Sequence, residues 1–180
     1  NEYKCVIPEI HDEPMFLWRQ ARHPLLEQKL KSQDKHITPL DLNLDKDNRI
    51  LVISGPNAGG KSVCLKTIGL VQYMLQCGLA VPMEIDSKCG IFHDMFIDIG
   101  DSQSLENDLS TYSSHLMNMK TLLEIADSKT LFLLDELGAG TEPRIGGAIA
   151  EAVLEWLYKR SSFGVITTHY SNQKPKILLL

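Results

Sequence analysis

The chain has 180 residues, of which 43% are hydrophobic and 23% are charged, and its formal net charge is −5. This length and composition allow one well-buried core and exclude a disordered or low-complexity protein. Beyond Lys29–Lys31 there is no cluster of basic residues, so the chain lacks the positive face of a domain that binds DNA by itself. Its apolar stretches are far shorter than a membrane span, and we expect no contact with a membrane.

The cysteines indicate the cellular compartment of the protein, and the two ends of the sequence indicate how much of it this chain represents. The four cysteines show no C-x-x-C spacing and predict reduced thiols in the cytoplasm, with metal binding the less favoured alternative: Cys5, Cys64, Cys77 and Cys89. No charged and then apolar leader opens the sequence, so nothing indicates export. The abrupt start and the strand-like end "KPKILLL" predict a fragment of a longer protein. We expect one domain over 1–180, with strands and loops at 1–49 and a core at 50–180.

In the first half of the chain the predicted elements are short strands followed by one long helix. Four prolines interrupt residues 1–49, which predicts edge strands and loops. The apolar run Ile50–Ile53 is typical of a buried strand. Apolar residues then recur at helical spacing from Lys61 to Cys77, and Gly78 is a natural end for this helix.

The second half of the chain alternates between the two kinds of element. A strand is predicted over Met95–Gly100 and a helix over about Ser110–Ala126, whose apolar positions lie on one side. The segment "TLFLLDE" predicts a buried strand that ends in two carboxylates, "IGGAIAEAVLEWLYKR" a helix, and "FGVITTH" a last strand. Such alternation predicts an α/β fold, a mostly parallel sheet with helices on both faces.

The segment "GPNAGGKS" fits the G-x-x-x-x-G-K-[ST] phosphate-loop pattern between a predicted strand and a predicted helix. Glycines allow backbone N–H groups to converge on an anion, and the helix amino terminus adds unpaired donors. Lys61 supplies a positive charge for the phosphates, and the Ser62 hydroxyl can ligate Mg²⁺. The predicted nucleotide-binding residues are Gly55, Pro56, Asn57, Ala58, Gly59, Gly60, Lys61, Ser62 and Val63. A glycine-rich surface turn is the alternative.

A hydrolytic nucleotide site needs a second element, and "LFLLDE" supplies it. Asp135 follows a buried strand at its carboxyl end, where ligands bind in open α/β sheets, and can organise Mg²⁺ through water. Glu136 can act as the base for an attacking water. Taken alone, this motif can also be an apolar strand that ends in solvated acids.

Three further residues have a functional and a plain structural interpretation. His169, after the last predicted strand, lies where a γ-phosphate sensor sits in this architecture, although such histidines are usually structural. Asn57 can orient the attacking water or a phosphate oxygen, or it can simply form a turn. Ser110 is a candidate N-cap of the helix that follows it, where N–H groups attract anions, and a simple cap is the alternative.

These pieces, in this order, resemble the ATPase domain of the MutS family over nearly the whole chain. "ARHPLLE" is similar to the family's "RHP" segment, "GPNAGGKS" to its Gly-Pro-Asn opening, "AVP" to "VPA" and "STY" to "STF". "LLDELGAGTEP" is similar to its Asp-Glu strand with a G-x-G-T turn, and "TTHY" to "ATHY". The mismatch-recognising branch typically has "DEIGRGTST" at the turn, so this chain, with "KSVCLKTIGL" and "STYSSHL", looks more like the second bacterial branch.

The resemblance implies a P-loop NTPase of the ABC-type subclass, an Mg²⁺-dependent ATPase that forms a homodimer with a shared ATP site. Ser110 and Thr111 would approach the γ-phosphate held by the partner. His36 and Ile37 stand where the family has an aromatic–aliphatic pair that holds the adenine. The second branch is associated with branched DNA, suppression of recombination and rescue of collided ribosomes, through domains outside this chain, and often carries a nuclease-like domain.

Three functions are therefore weighed. The first is an ATP-hydrolysing motor domain of a MutS-type DNA repair or recombination-control protein. The second is a nucleotide-dependent dimerisation switch with little turnover. The third is a kinase with a phosphate loop, which is least favoured because the arginines expected of a kinase lid are scattered along this sequence.

Overall fold

The structure, a computed structural model, describes residues 4–55, 60–100, 108–139, 141–168 and 178–179. Strands and helices alternate within these ranges, as the second half of the sequence predicts. The strands are β1 Glu9–His11, β2 Phe16–Ala21, β3 Leu40–Leu44, β4 Ile50–Ser54, β5 Lys88–Gly90, β6 Asp94–Asp98, β7 Thr130–Leu134, β8 Phe163–Thr168 and β9 Leu178–Leu179. The helices are α1 Pro24–Lys31, α2 Lys61–Gln76, α3 Asp108–Ile125 and α4 Pro143–Lys159.

Five parallel strands form the central sheet, in the order β6-β7-β8-β4-β9. Every residue of β7 and β8 is buried, because both faces of the sheet are covered. Leu131 and Leu133 of β7 pack in one core with α2, whereas Phe132 and Leu134 pack in a second core with α3 and α4. The predicted parallel sheet with helices on both faces is confirmed.

A glycine lets β7 and β8 pack together under an aromatic ring. Gly164 of β8 is the register partner of Phe132 of β7. A Cβ on Gly164 would lie 2.2 Å from the Phe132 ring, so any side chain there would displace the ring.

Helix α2 runs from the end of the phosphate loop across one face of the central sheet. Its buried side chains lie one helical turn apart: Leu65, Ile68, Val71 and Leu75. The helix ends before Gly78, which takes the left-handed φ of 76° that a helix-terminating glycine adopts. The predicted helix and its end are confirmed.

A second, four-stranded sheet in the order β1-β5-β2-β3 combines the three strands that precede β4 with β5, which follows α2. Its apolar side chains join the core beneath α2, among them Phe16, Trp18 and Leu44. The predicted strands are present here, but α1 and β5 were not predicted. The prolines of this region predict breaks in regular structure, but Pro24 is at the first position of α1, where a backbone N–H has no partner within the helix and proline is therefore tolerated.

Helix α3 begins at Asp108, two residues before the predicted start. Ser110 is therefore inside the first turn, and its predicted role as N-cap is wrong. The backbone of Ser110 and Thr111 lies in the first turn of α3 as its described bounds have it. The side chains of residues 108–114 lie outside the described part of the chain.

In the ranges that the structure describes, no helix has both the length and the apolar character needed to cross a bilayer.

The amino terminus of α1 predicts a dependence of stability on pH. The Nδ1 atom of His23 accepts a hydrogen bond from the Leu26 N–H at 3.3 Å, which requires an unprotonated Nδ1. Burial, together with the charge of nearby Lys66, holds the pKa of His23 below its ordinary value. Below pH 6.5 the unfolded chain therefore binds the proton first, and stability falls until the folded pKa is reached.

We expect His23 to contribute up to about 1 kcal/mol of unfolding free energy at pH 7.5 that is lost on acidification through this window. Urea unfolding at pH 7.5 and pH 5.5 measures the loss. His23→Asn is the control, because asparagine caps helices but does not titrate. Equal pH dependence in the two proteins would contradict the assignment.

Candidate functional site

The candidate site lies at the carboxyl edge of the central sheet, where β7, β8 and β4 end side by side. The register pairs Leu134 with Ile166 and Ser54 with Thr168, so the residues that follow all three strands meet at one edge. In open α/β sheets this is the edge at which ligands bind. The phosphate loop follows β4 and the two predicted carboxylates follow β7, so both motifs are brought to the same edge.

The described flanks of the phosphate loop have the backbone that a glycine-rich loop requires. Gly55 and Gly60 have φ of 147° and 82°, which side chains disfavour. Lys61 is only 4% exposed as a residue, and its ammonium donates a hydrogen bond to the Gly55 carbonyl, which bridges the two ends of the loop. Pro56, Asn57, Ala58 and Gly59 lie outside the described residues, and their contacts with phosphate remain predictions.

The amino terminus of α2 is arranged to receive an anion. Its first α-helical hydrogen bond runs from the Cys64 N–H to the Gly60 carbonyl, so the amides before Cys64 lie ahead of the helical ladder. Gly60 is the N-cap and provides no capping side chain, and the first turn contains no acidic residue. Helices α1 and α4, by contrast, are capped by His23 and Glu142. Ser62 and Val63 lie in this first turn of α2, as predicted.

Asp135 lies on the face of the sheet that α2 covers. By the alternation of β7 it shares that face with Leu131 and Leu133, which pack in the core of α2. Its N–H donates to the Asp98 carbonyl at 2.9 Å. Ser62 and Asp135 are the oxygen donors predicted for Mg²⁺, and both belong to this side of the sheet. Among the described residues there is no group of three or more His, Cys, Asp or Glu that could hold a metal ion.

Glu136 has a left-handed backbone, with φ of 52°. A non-glycine residue in this conformation costs about 1–2 kcal/mol, and such strain is concentrated at functional sites. The Glu136 N–H donates to the Thr167 hydroxyl at 2.8 Å, and its carbonyl accepts from the Ala139 N–H at 2.9 Å. The turn then passes against α4 at Gly138, where a Cβ would lie 2.5 Å from the Gly146 carbonyl oxygen.

Thr167, at the end of β8, joins the two carboxylate residues and was not predicted. Its hydroxyl donates to Asp135 Oδ1 at 2.5 Å and accepts from the Glu136 N–H, and its carbonyl accepts from the Leu137 N–H at 3.1 Å. The only signal in the sequence was its place in "TTHY", and the family's "ATHY" has alanine there. Neither the motif nor the resemblance therefore indicated the hydroxyl.

A second unpredicted cluster ties α3 to the same edge. Asp98 ends β6, and its Oδ2 lies 2.8 Å from His115 Nδ1 while its Oδ1 accepts from Asn118 Nδ2 at 3.1 Å. Both partners lie in α3, whose first turn contains the Ser110 and Thr111 backbone. Asp98 thus bonds to α3 by its side chain and to Asp135 by its main chain.

The remaining predicted residues take no part in the hydrogen bonds described above or lie outside the described ranges. His36 is exposed and Ile37 is partly buried in the irregular segment between α1 and β3, and their contact with adenine remains a prediction. His169 lies outside the described residues. None of the four cysteines forms a disulfide, as predicted. Burial raises the pKa of the Cys64 thiol to about 11, so it stays protonated near neutral pH.

Comparisons with known proteins place this geometry in context. The sequence profile of the family described as MutS domain V matches residues 51–176. The chain is 45% identical to Endonuclease MutS2 of Acetivibrio thermocellus over 173 residues, which are 96% of this chain and 21% of that protein. It is 45% identical to Endonuclease MutS2 of Enterococcus faecalis over 174 residues, and 47% identical to that of Shouchella clausii over 171. These alignments cover 97% and 95% of this chain and 21% of each relative, so the chain spans about a fifth of the length of the curated relatives it matches.

The left-handed backbone of Glu136 predicts that this residue lowers the stability of the fold. Glu136→Gly and Glu136→Ala both remove the carboxylate, but only glycine accepts the positive φ without strain. We expect the glycine variant to exceed the alanine variant by about 1 kcal/mol in unfolding free energy, measured by urea denaturation.

The same pair of substitutions at exposed Glu151, inside α4, is the control. There glycine should be less stable than alanine by about 1 kcal/mol, because the helix interior disfavours it. Finding the same sign at both positions would rule out strain at Glu136.

Proposed function

We propose that this chain, which belongs to the MutS family and to its MutS2 branch, binds ATP with Mg²⁺ and hydrolyses it to ADP and phosphate. The observation that carries the proposal is the uncapped amino terminus of α2, with buried Lys61 in its first turn, on the sheet face that Asp135 shares. An anion site and a carboxylate for a divalent cation on one sheet edge fit a nucleotide bound as its magnesium complex. A kinase remains the least favoured of the three functions.

In this proposal the triphosphate accepts from main-chain N–H groups within residues 55–63, where every residue except Pro56 has one. The Lys61 ammonium, which bonds to the Gly55 carbonyl, would turn to the β- and γ-phosphates. The Ser62 hydroxyl and, through water, Asp135 would hold Mg²⁺ together with phosphate oxygens. Bound Mg²⁺ supplies positive charge that stabilises the phosphate oxygens during transfer.

Glu136 is the proposed general base. It follows Asp135 directly in the sequence, and its backbone is left-handed. Its carboxylate would accept a proton from the water that attacks the γ-phosphorus. We further propose His169 as the γ-phosphate sensor, Asn57 as a residue that orients the water, and His36 and Ile37 as the adenine contacts. These assignments are supported by their positions in the family motifs.

We also propose that residues 1–180 form one ATPase domain of the ABC-type subclass and that it acts as a homodimer in the cytoplasm. The amides of Ser110 and Thr111, in the first turn of α3, would approach the γ-phosphate of the partner subunit and so let ATP hold the dimer closed. Coupling to DNA structures or to collided ribosomes would use parts of a longer protein. The dimerisation switch with little turnover is the alternative.

Lys61 offers the first test. We expect Lys61→Ala to weaken the affinity for an ATP analogue about 10- to 100-fold, because a charge-assisted contact to phosphate is lost. Equilibrium titration with a fluorescent ATP analogue and Mg²⁺ measures the effect. Lys66→Ala, in the next turn of the same helix, is the matched control and should bind as the unchanged chain does. An unaltered affinity in Lys61→Ala would contradict the proposed phosphate loop.

Glu136 offers the second test, which separates hydrolysis from binding. We expect Glu136→Gln to keep ATP affinity within about threefold and to lower kcat about 10²- to 10⁴-fold, because a general base is removed. Phosphate release and ATP titration measure the two quantities, with Glu151→Gln as the control for loss of a distant carboxylate. If the unchanged chain binds ATP but does not hydrolyse it, the switch is favoured over the ATPase.

A further inference from the structure

We propose that Thr167 is a positioning residue of this site, whose hydroxyl holds the Asp135 carboxylate and the Glu136 backbone in the arrangement that hydrolysis requires. The inference rests on the proposed function and adds to it a residue that no motif assigns. The group concerned is the buried Thr167 hydroxyl, which bonds both to Asp135, the proposed Mg²⁺ carboxylate, and to Glu136, the proposed general base.

The direction of each hydrogen bond at this hydroxyl follows from its partners. The Glu136 N–H can only donate, so at 2.8 Å the Thr167 oxygen accepts. An ionised carboxylate can only accept, so the single hydroxyl proton points to Asp135 Oδ1, 2.5 Å away. Because one partner is charged, this second bond is of the stronger kind. The hydroxyl therefore has one orientation, and it joins two functional residues that are adjacent in sequence.

Burial makes this arrangement difficult to replace by water. Thr167 is fully buried, between β7 and β4 in the central sheet. Its carbonyl also accepts from the Leu137 N–H, so the turn 135–137 is bonded to this residue on both sides of Glu136. The regular ladder between β7 and β8 ends at the Leu134–Ile166 pair, and Thr167 continues the bonding where the main chain of β7 turns away.

Two consequences for the chemistry follow from this bonding. With one acceptor site of Asp135 Oδ1 engaged by Thr167, Oδ2 would be the better placed oxygen to accept from water bound to Mg²⁺. The bond to the Glu136 N–H also offsets part of the strain of its left-handed backbone, and without it the residue could relax toward a right-handed turn. Loss of the hydroxyl should therefore weaken Mg²⁺ binding and misplace the base, while contacts of the phosphate loop with ATP persist.

The chain provides a matched control at the other end of β7. Thr130 is also fully buried, and its hydroxyl also accepts from a backbone N–H and donates to a carboxylate, in this case both of Asp127. It lies at the amino end of the strand, opposite the candidate site. Thr130→Val therefore removes an equivalent buried hydroxyl without touching the proposed chemistry.

The experiment measures kcat, the KM for ATP and the Mg²⁺ concentration for half-maximal activity in the full chain. For Thr167→Val we expect kcat to fall at least about 10-fold and the half-maximal Mg²⁺ concentration to rise at least about 10-fold, with KM for ATP within about threefold. Thr167→Ser, which keeps the hydroxyl, and Thr130→Val should each stay within about threefold of the unchanged chain in all three quantities.

Other outcomes overturn the inference. Thr167→Val with unchanged kcat and Mg²⁺ dependence would refute it, and so would an equal loss in Thr130→Val, since that would reflect general destabilisation. If the valine variant does not fold, Thr167→Ala, which removes the same hydroxyl with a smaller side chain, is measured against the same expected results. If the unchanged chain neither binds nor hydrolyses ATP with Mg²⁺, the proposed function itself is wrong. If the unchanged chain and Thr167→Val are equally active, only the inference about Thr167 is wrong.

Discussion

Parallel pairing of β7, β8 and β4 in one register is the constraint on which the rest of this structure depends. The three strands pair Leu134 with Ile166 and Ile53 with Thr167, so their carboxyl ends lie level at one edge. Both faces of β7 and β8 are buried, and a slip of one residue would move every side chain to the opposite face. The buried core therefore determines which side of the sheet Asp135 belongs to.

Helix α2 joins the packing of the protein to its proposed chemistry. One side of the helix fills the core beneath the second sheet, with Leu65 and Ile68 fully buried. Its amino terminus, at Lys61, follows directly from the phosphate loop and has no capping side chain. The same apolar contacts that stabilise the helix thus hold its first-turn amides at the edge where the nucleotide is proposed to bind.

Hydrogen bonds across the carboxyl edge connect elements that would have to move together in a nucleotide-driven cycle. Thr167 links β8 to the turn after β7, and Asp98 links β6 to that turn and to α3. In the proposed dimer, the first turn of α3 meets the nucleotide of the partner. A movement of α3 would then be transmitted to the Asp135 backbone through Asp98, which bonds to both. Such a connection would allow hydrolysis and dimer opening to be coupled in the proposed dimer.

The sequence by itself determined the elements whose signal is local. The apolar runs of β4, β7 and β8, the helical spacing of α2 and the phosphate-loop pattern each lie within a few consecutive residues, and the structure has these strands and this helix as predicted. Helix α1 is not predicted because proline usually interrupts a helix, and α3 extends two residues before its predicted start. Only the tertiary structure decided the contacts of Thr167 with Asp135 and of Asp98 with His115, which join residues 32 and 17 positions apart. Such pairs have no pattern in a single sequence, because it is the packing of strands and helices that brings their atoms together.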